Sequence, residues 1–79
     1  MDSRLKQILA NIFGLRESET NTALTKDDVE SWDSLKQMDL VVSLEREYDV
    51  TLEMYDILKM TDFAGIVEIL REKGVEFED

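Results

Sequence analysis

Trp32-Asp33-Ser34-Leu35-Lys36-Gln37-Met38-Asp39-Leu40-Val41-Val42-Ser43-Leu44-Glu45-Arg46-Glu47-Tyr48 decides the fold of this chain. It follows a polar, acidic run, holds no Gly or Pro, and its spacing predicts a helix over 34–48. Asp33 or Ser34 serves as N-cap, and Gln37, three residues beyond Ser34, has the spacing of a capping box. Advancing about 100° per residue from Leu35 gathers Leu40, Val41, Leu44 and Tyr48 on one side. Leu35, Met38 and Val42 fall nearly opposite, with Asp39 and Arg46 among them. The first stripe suits the core of a small bundle. The second cannot face that same core, so the helix is expected to offer one face to something else.

Outward from this helix the pattern stays helical. In residues 3 to about 15, Leu5, Ile8, Leu9, Ile12 and Phe13 recur at i, i+3, i+4, i+7 and i+8, with Ser3 or Asp2 as cap and Gly14 as C-cap. This helix, with Arg4, Lys6 and Arg16 against Asp2, is the only region of net positive charge. Residues 16–33 form a long polar connection, a length that is often functional. Its apolar members are Ala23, Leu24, Val29 and Trp32. Leu24 and Val29 are expected to pin it to the core, and Thr25-Lys26-Asp27-Asp28 fits a short turn of helix. Tested as a calcium loop from Asp28, the run fails: the required glycine falls on Asp33 and the third ligand on Trp32.

Beyond Tyr48, Asp49-Val50-Thr51 reads as a loop with Val50 and Leu52 buried, and Glu53 to about Leu58 as a short third helix. Thr61 is then the cap of a last helix from Asp62 to about Lys73, with Phe63, Ile66, Val67 and Leu70 on one face and Gly74 just past its end. Gly65 inside it costs about 1 kcal/mol against Ala, which a close helix crossing would explain. Val75 and Phe77 are expected to fold back, with Glu76, Glu78 and Asp79 as a solvated tail. No stretch alternates as a strand does. The expected fold is an all-α four-helix bundle, three longer helices plus a short third one, with a long first loop, in a single domain over residues 1–79.

Composition narrows the function. The chain of 79 residues has no cysteine and no histidine, so it lacks thiolates for disulfides or metals, the usual general base and the commonest metal ligand. Neither catalysis nor metal binding is expected of it. A net charge of −10, from 19 acidic and 9 basic residues, disfavours nucleic acid and anionic membranes and favours basic protein partners. No run is long and apolar enough to enter a membrane, and Met1 is followed by a polar start, which points to a cytoplasmic protein, or to a domain of a larger one.

Ser34 is the candidate site. It follows the long loop at an exposed helix start, where orphan N–H groups and the positive dipole end favour an attached phosphate. The second apolar stripe begins beside it, and Asp28, Glu30, Asp33 and Asp39 flank it. A nucleophilic serine would need a base and an oxyanion site, and there is no histidine to serve. Ser34 therefore reads as a place where another protein attaches something.

Asp33-Ser34-Leu35 resembles the Asp-Ser-Leu motif of acyl carrier proteins. The likeness continues through Met38-Asp39-Leu40-Val41-Val42-Ser43-Leu44-Glu45, Glu47-Tyr48-Asp49 and Lys59-Met60-Thr61 into the final helix. The resemblance implies 4'-phosphopantetheine joined to Ser34 through a phosphodiester, with Asp33 and Leu35 completing the attachment motif, by a phosphopantetheinyl transferase using coenzyme A. It implies a monomeric carrier whose acyl cargo, held as a thioester, is delivered to basic acyl-transfer or synthase enzymes of fatty acid, polyketide or related biosynthesis. It further implies that Leu35, Asp39, Val42 and Glu45 meet those partners, and that Leu40, Val41, Leu44, Tyr48, Phe63 and Val67 line the core and any acyl pocket.

Several residues depart from the family pattern. Lys36 stands where fatty-acid carriers usually have an acid, and Arg46 interrupts the acidic ridge. Met54, Tyr55, Ile57 and Leu58 make the third helix apolar. Trp32 replaces a small residue and either packs the loop onto the bundle or lies against the arm. These departures point to a carrier dedicated to one pathway rather than the housekeeping fatty-acid carrier. The competing reading, from a different class, is an acidic helical adaptor in which Ser34 is only a helix cap.

Overall fold

The computed structural model describes residues 3–20, 24–29 and 32–77. The caps expected of Asp2 and of the Ser3 side chain, Ala23 and Glu30 of the loop, and the terminal Glu78 and Asp79 lie outside the described residues. Within them the chain forms α1 (Ser3–Phe13), α2 (Ser34–Tyr48), α3 (Met54–Leu58) and α4 (Phe63–Glu72), with short 3-10 turns at Glu17–Glu19 and Lys26–Asp28 in the long first loop. No strand occurs among the described residues beyond an isolated bridge between Thr25 and Asp62. The all-α bundle with a short third helix is thus present as expected.

α1 ends because Gly14 turns left-handed, with φ of 67°, and lets Leu15 N–H reach back 2.9 Å to the Ala10 carbonyl. α2 ends the same way on Asp49, φ 53°, a residue whose short polar side chain tolerates that conformation. The core is built from the stripes expected to supply it: Leu5, Leu9 and Phe13 from α1, Leu40, Val41 and Leu44 from α2, and Phe63, Ile66, Val67, Ile69 and Leu70 from α4. Ile8, Ile12, Tyr48, Val50, Val75 and Phe77 pack half-buried around it. The chain after α4 does fold back, and the Phe77 ring meets Tyr48 edge-on at 6.0 Å.

The first loop is fastened at several points. Leu24 and Val29 are buried as expected, and buried Thr20 donates its hydroxyl to the Glu17 carbonyl at 2.6 Å. Lys26 N–H donates to the Thr61 carbonyl at 2.8 Å and Phe63 N–H to the Leu24 carbonyl at 2.9 Å, tying the loop to the segment between α3 and α4. Trp32, 3% exposed, stacks on Phe13 with ring centroids 4.6 Å apart. Of the two roles left open for Trp32, packing the loop onto the bundle is the one it plays.

Two local expectations are corrected. The cap of α4 is Asp62, not Thr61: its carboxylate accepts from Gly65 N–H at 2.6 Å, because an N-cap side chain bonds the amide three residues on. Gly65 accordingly sits in the first turn rather than mid-helix. A Cβ there would lie 2.8 Å from both the Asp62 Oδ1 and the Lys59 carbonyl oxygen, so the glycine answers to the tight α3–α4 connection and not to a helix crossing.

Candidate functional site

The site is assembled at the N-terminal end of α2. Asp33 is the N-cap: its Oδ1 accepts from Lys36 N–H at 2.9 Å, with extended backbone at φ −107° and ψ −172°. Ser34 is therefore the first helical residue, exposed to solvent, and the capping work falls on its neighbour. The helix start contributes the positive end of the macrodipole and amides aimed outward, an environment that favours a phosphate.

The capping box expected between Ser34 and Gln37 does not form. Gln37 turns its carboxamide elsewhere. Its Oε1 accepts from the Trp32 indole Nε1–H at 2.6 Å, and its Nε2 donates to the Ile57 and Met60 carbonyls, each at 3.1 Å. Glutamine at this spacing signals a capping box by sequence, but with Asp33 as the N-cap, accepting from Lys36 N–H, Gln37 is not the third helical residue that a capping box pairs with its cap. No local pattern reveals bonds to residues twenty or more positions away.

A cavity of about 380 Å³ opens beside Ser34, between α2 and α3. Ser34, Gln37 and Met38 line it from α2, Ile57 and Leu58 from α3, Met60 and Thr61 from the following segment, and Lys26 from the first loop. Its size lies at the lower end of small-molecule sites, roughly 300–1,000 Å³. Leu40, Val41, Leu44, Tyr48, Phe63 and Val67, expected to line the core and any acyl pocket, belong to the core or pack against it, and none of them lines this cavity. Lys26 brings a cation to the cavity that Ser34 borders, in a position fixed by its own backbone bond to Thr61.

The outer face of α2 is as the spacing predicts. Leu35 is 78% exposed, Met38 50% and Val42 47%, and Asp39 and Arg46 are exposed beside them. Glu45 differs: it is half-buried, and its Oε2 accepts from Leu52 N–H at 2.9 Å, bracing the chain after α2. Met54, Tyr55 and Leu58 of α3 are also exposed, extending the apolar surface beyond α2.

α3 is held by its one buried residue, Asp56. Its Oδ2 accepts from Glu53 N–H at 3.0 Å and from Lys73 Nζ at 2.9 Å. The Glu53 amide first, and Lys73 second, hold its carboxyl below the usual carboxylate range, and the same pairing raises Lys73. At the outer edge of α3, Lys59 Nζ donates to the Tyr55 hydroxyl at 2.7 Å, which raises the lysine, and lies 4.1 Å over that ring. Asp56 has no distinguishing sequence signal, since a lone aspartate in a short helix reads as surface. Among the described residues no cluster of acids has the form of a metal site, and no helix is long and apolar enough to cross a membrane.

Against known proteins, residues 3–70 match the family described as the phosphopantetheine attachment site. The chain is 34% identical over 74 residues to a non-reducing polyketide synthase of Didymella fabae and 32% identical over 78 residues to one of Penicillium rubens. These alignments cover 92% and 98% of the chain but only 3% of each synthase. It is 29% identical over 69 residues to the polyketide-8 synthase acyl carrier protein 1 of Streptomyces avermitilis, covering 86% of the chain and 81% of that relative. The exposed serine at a helix start with an open cavity beside it fits a tethered phosphodiester. The chain belongs to the acyl carrier protein family, as a carrier that bears covalently attached 4'-phosphopantetheine and not as a catalyst.

Proposed function

We propose that residues 1–79 act as one carrier unit, with the arm attached at Ser34 within the motif completed by Asp33 and Leu35, and that its pathway is polyketide assembly. The observation that carries the attachment point is the division of labour at the start of α2. Asp33 caps the helix, so Ser34 does not have the capping role that the adaptor reading gave it. Ser34 is left exposed beside a cavity large enough for part of an arm.

In the attachment step the Ser34 Oγ forms the bond to phosphorus as a pyrophosphate P–O bond of coenzyme A breaks. Adenosine 3',5'-bisphosphate leaves, and the hydroxyl proton passes to a base of the transferase, this chain having no histidine to take it. The attached arm supplies a thiol that holds an acyl group as a thioester. The chain's own residues position and present it: the α2 amides and Lys26 favour the phosphate's charge, and Leu35, Asp39 and Val42 form the surface a partner meets. Glu45, engaged with Leu52 N–H, supports that surface from within. The polyketide assignment rests on the names of the fungal synthases and the Streptomyces carrier, together with Lys36 and the apolar α3. It is that of a cytoplasmic protein.

Two steps test this. Intact mass after incubation with coenzyme A and a broad-specificity phosphopantetheinyl transferase should rise by one phosphopantetheine. The loaded protein should then be a substrate for polyketide-type ketosynthases and a poor one for the enzymes of the fatty-acid cycle. Extension by the fatty-acid enzymes as fast as on an ordinary fatty-acid carrier would overturn the pathway assignment.

A further inference from the structure

We infer that Gln37 decides where the cargo lies: it latches the seam between α2 and α3, and so keeps an acyl chain in the open cavity beside Ser34 instead of inside the bundle. This inference rests on the reading of Ser34 as the attachment point.

The side chain of Gln37 offers one acceptor oxygen and two amide hydrogens. All three functions are used, and on three separate pieces of the chain: the loop residue Trp32, Ile57 in α3, and Met60 beyond it. Of the residues lining the cavity, Met60 alone is fully buried, at 1% exposure. The way from cavity to core therefore passes Met60, and the carboxamide is fastened to the carbonyl of that same residue. Beneath it Leu40, Leu44, Phe63, Ile66 and Leu70 are closed to solvent. A chain sliding past Met60 would have to part these bonds and strand an indole N–H, an amide and the Met60 carbonyl, the Ile57 carbonyl still accepting from Met60 N–H at 3.1 Å, which is unfavourable compared with leaving them paired.

The cavity outside the latch has a different character. Met38, Ile57, Leu58 and Met60 supply apolar wall, and Lys26, Gln37 and Thr61 supply polar edges. That mixture suits a short or oxygen-bearing acyl chain better than a long saturated one, which would favour a wholly apolar interior. The latch thus acts as a specificity-determining residue for cargo, working through the α2–α3 seam.

The test compares two cargoes on three proteins. Wild type, Gln37→Ala and Trp32→Phe are loaded with acetyl- or octanoyl-phosphopantetheine by a transferase from the corresponding acyl-coenzyme A, and loading is verified by intact mass. Non-enzymatic thioester hydrolysis and the methyl resonances of Leu40, Leu44 and Ile66 are then measured. In wild type both thioesters should hydrolyse at rates within about twofold, with the core methyls unmoved. In Gln37→Ala the octanoyl thioester should be protected about fivefold over the acetyl one, the size expected from losing about one net hydrogen bond, with shifted core methyls. Trp32→Phe keeps a ring to stack on Phe13 but removes the indole donor. It should move the same way by less, which keeps the test sound if Gln37→Ala fails to fold. An octanoyl group already protected in wild type, or no protection gained in either variant, overturns the latch. Loading that succeeds while octanoyl is buried in wild type overturns the latch alone. Failure to load overturns the assignment of Ser34 together with it.

Discussion

α2 and α4 begin alike and differ in what their outer faces do. Each starts with an aspartate whose carboxylate takes the amide three residues on, Asp33 from Lys36 and Asp62 from Gly65. Each buries an apolar stripe, Leu40, Val41 and Leu44 in one and Phe63, Ile66, Val67, Ile69 and Leu70 in the other. Away from the core, α4 shows Ala64, Glu68, Arg71 and Glu72, an ordinary solvated face. α2 shows Leu35, Met38 and Val42, apolar side chains that contribute little to the bundle. Hydrophobic burial explains every apolar residue of α4 except the small Ala64, but in α2 it leaves Leu35, Met38 and Val42 unexplained. The surplus on α2 begins beside the exposed serine and lies on the face opposite the core stripe.

The widest separation between the two faces should appear in stability. Leu44→Ala in α2 and Ile66→Ala in α4 each remove a fully buried side chain and should cost about 2–5 kcal/mol in chemical denaturation. Leu35→Ala, on the outer face of α2, should stay within about 0.5 kcal/mol. A cost for Leu35→Ala near that of Leu44→Ala would erase the distinction. The shared start of the helices predicts a smaller and equal effect: Asp33→Ala and Asp62→Ala should each lower stability by about 0.5–2 kcal/mol, Ser34→Ala by less. A loss in Ser34→Ala matching that of Asp33→Ala would restore the serine as the cap.

Acid sharpens the comparison at α3, which joins the two. Asp56 titrates below its ordinary value in the folded chain, because of the Glu53 amide and then Lys73. Its contribution is therefore complete above the ordinary carboxylate value and is lost as pH falls through the lower, folded one. Lys73, raised by the same pair, contributes fully below the ordinary lysine value and loses that contribution as pH rises through its higher folded one. Asp56→Asn should flatten the acid limb of a stability–pH curve, and an unchanged acid limb would show that Asp56 carries none of it. The smallest effect concerns partners: Asp39→Lys should weaken transferase binding more at low salt than at high salt, and an effect independent of salt would remove electrostatics from that surface.

Local periodicity and capping chemistry were enough to read the bundle. The bounds of α2, the opposed stripes, the short third helix and the turn at Gly14 all follow from neighbours within one or two turns. What escaped reading depends on residues distant in sequence. Gln37 has capping-box spacing, yet its carboxamide serves Trp32, Ile57 and Met60. Gly65 looks like a mid-helix weakness until the Lys59 carbonyl is seen against it. Asp56 looks like surface until Lys73 arrives from the end of α4. The cavity beside Ser34 belongs to the same class, since its walls come from the loop, α2, α3 and the segment after it. Glu45 shows the converse: its helical position places it on the outer ridge, but Leu52 N–H draws its carboxylate inward.

The central claim is that α2 holds the bundle with one face and carries the functional serine at its start. The most direct measurement is the intact mass of wild type, Ser34→Ala and Ser31→Ala after treatment with coenzyme A and a phosphopantetheinyl transferase, with folding of each checked by circular dichroism. The account predicts one added phosphopantetheine on wild type and Ser31→Ala and none on a folded Ser34→Ala. An arm retained by Ser34→Ala, or absent from folded wild type, would contradict it.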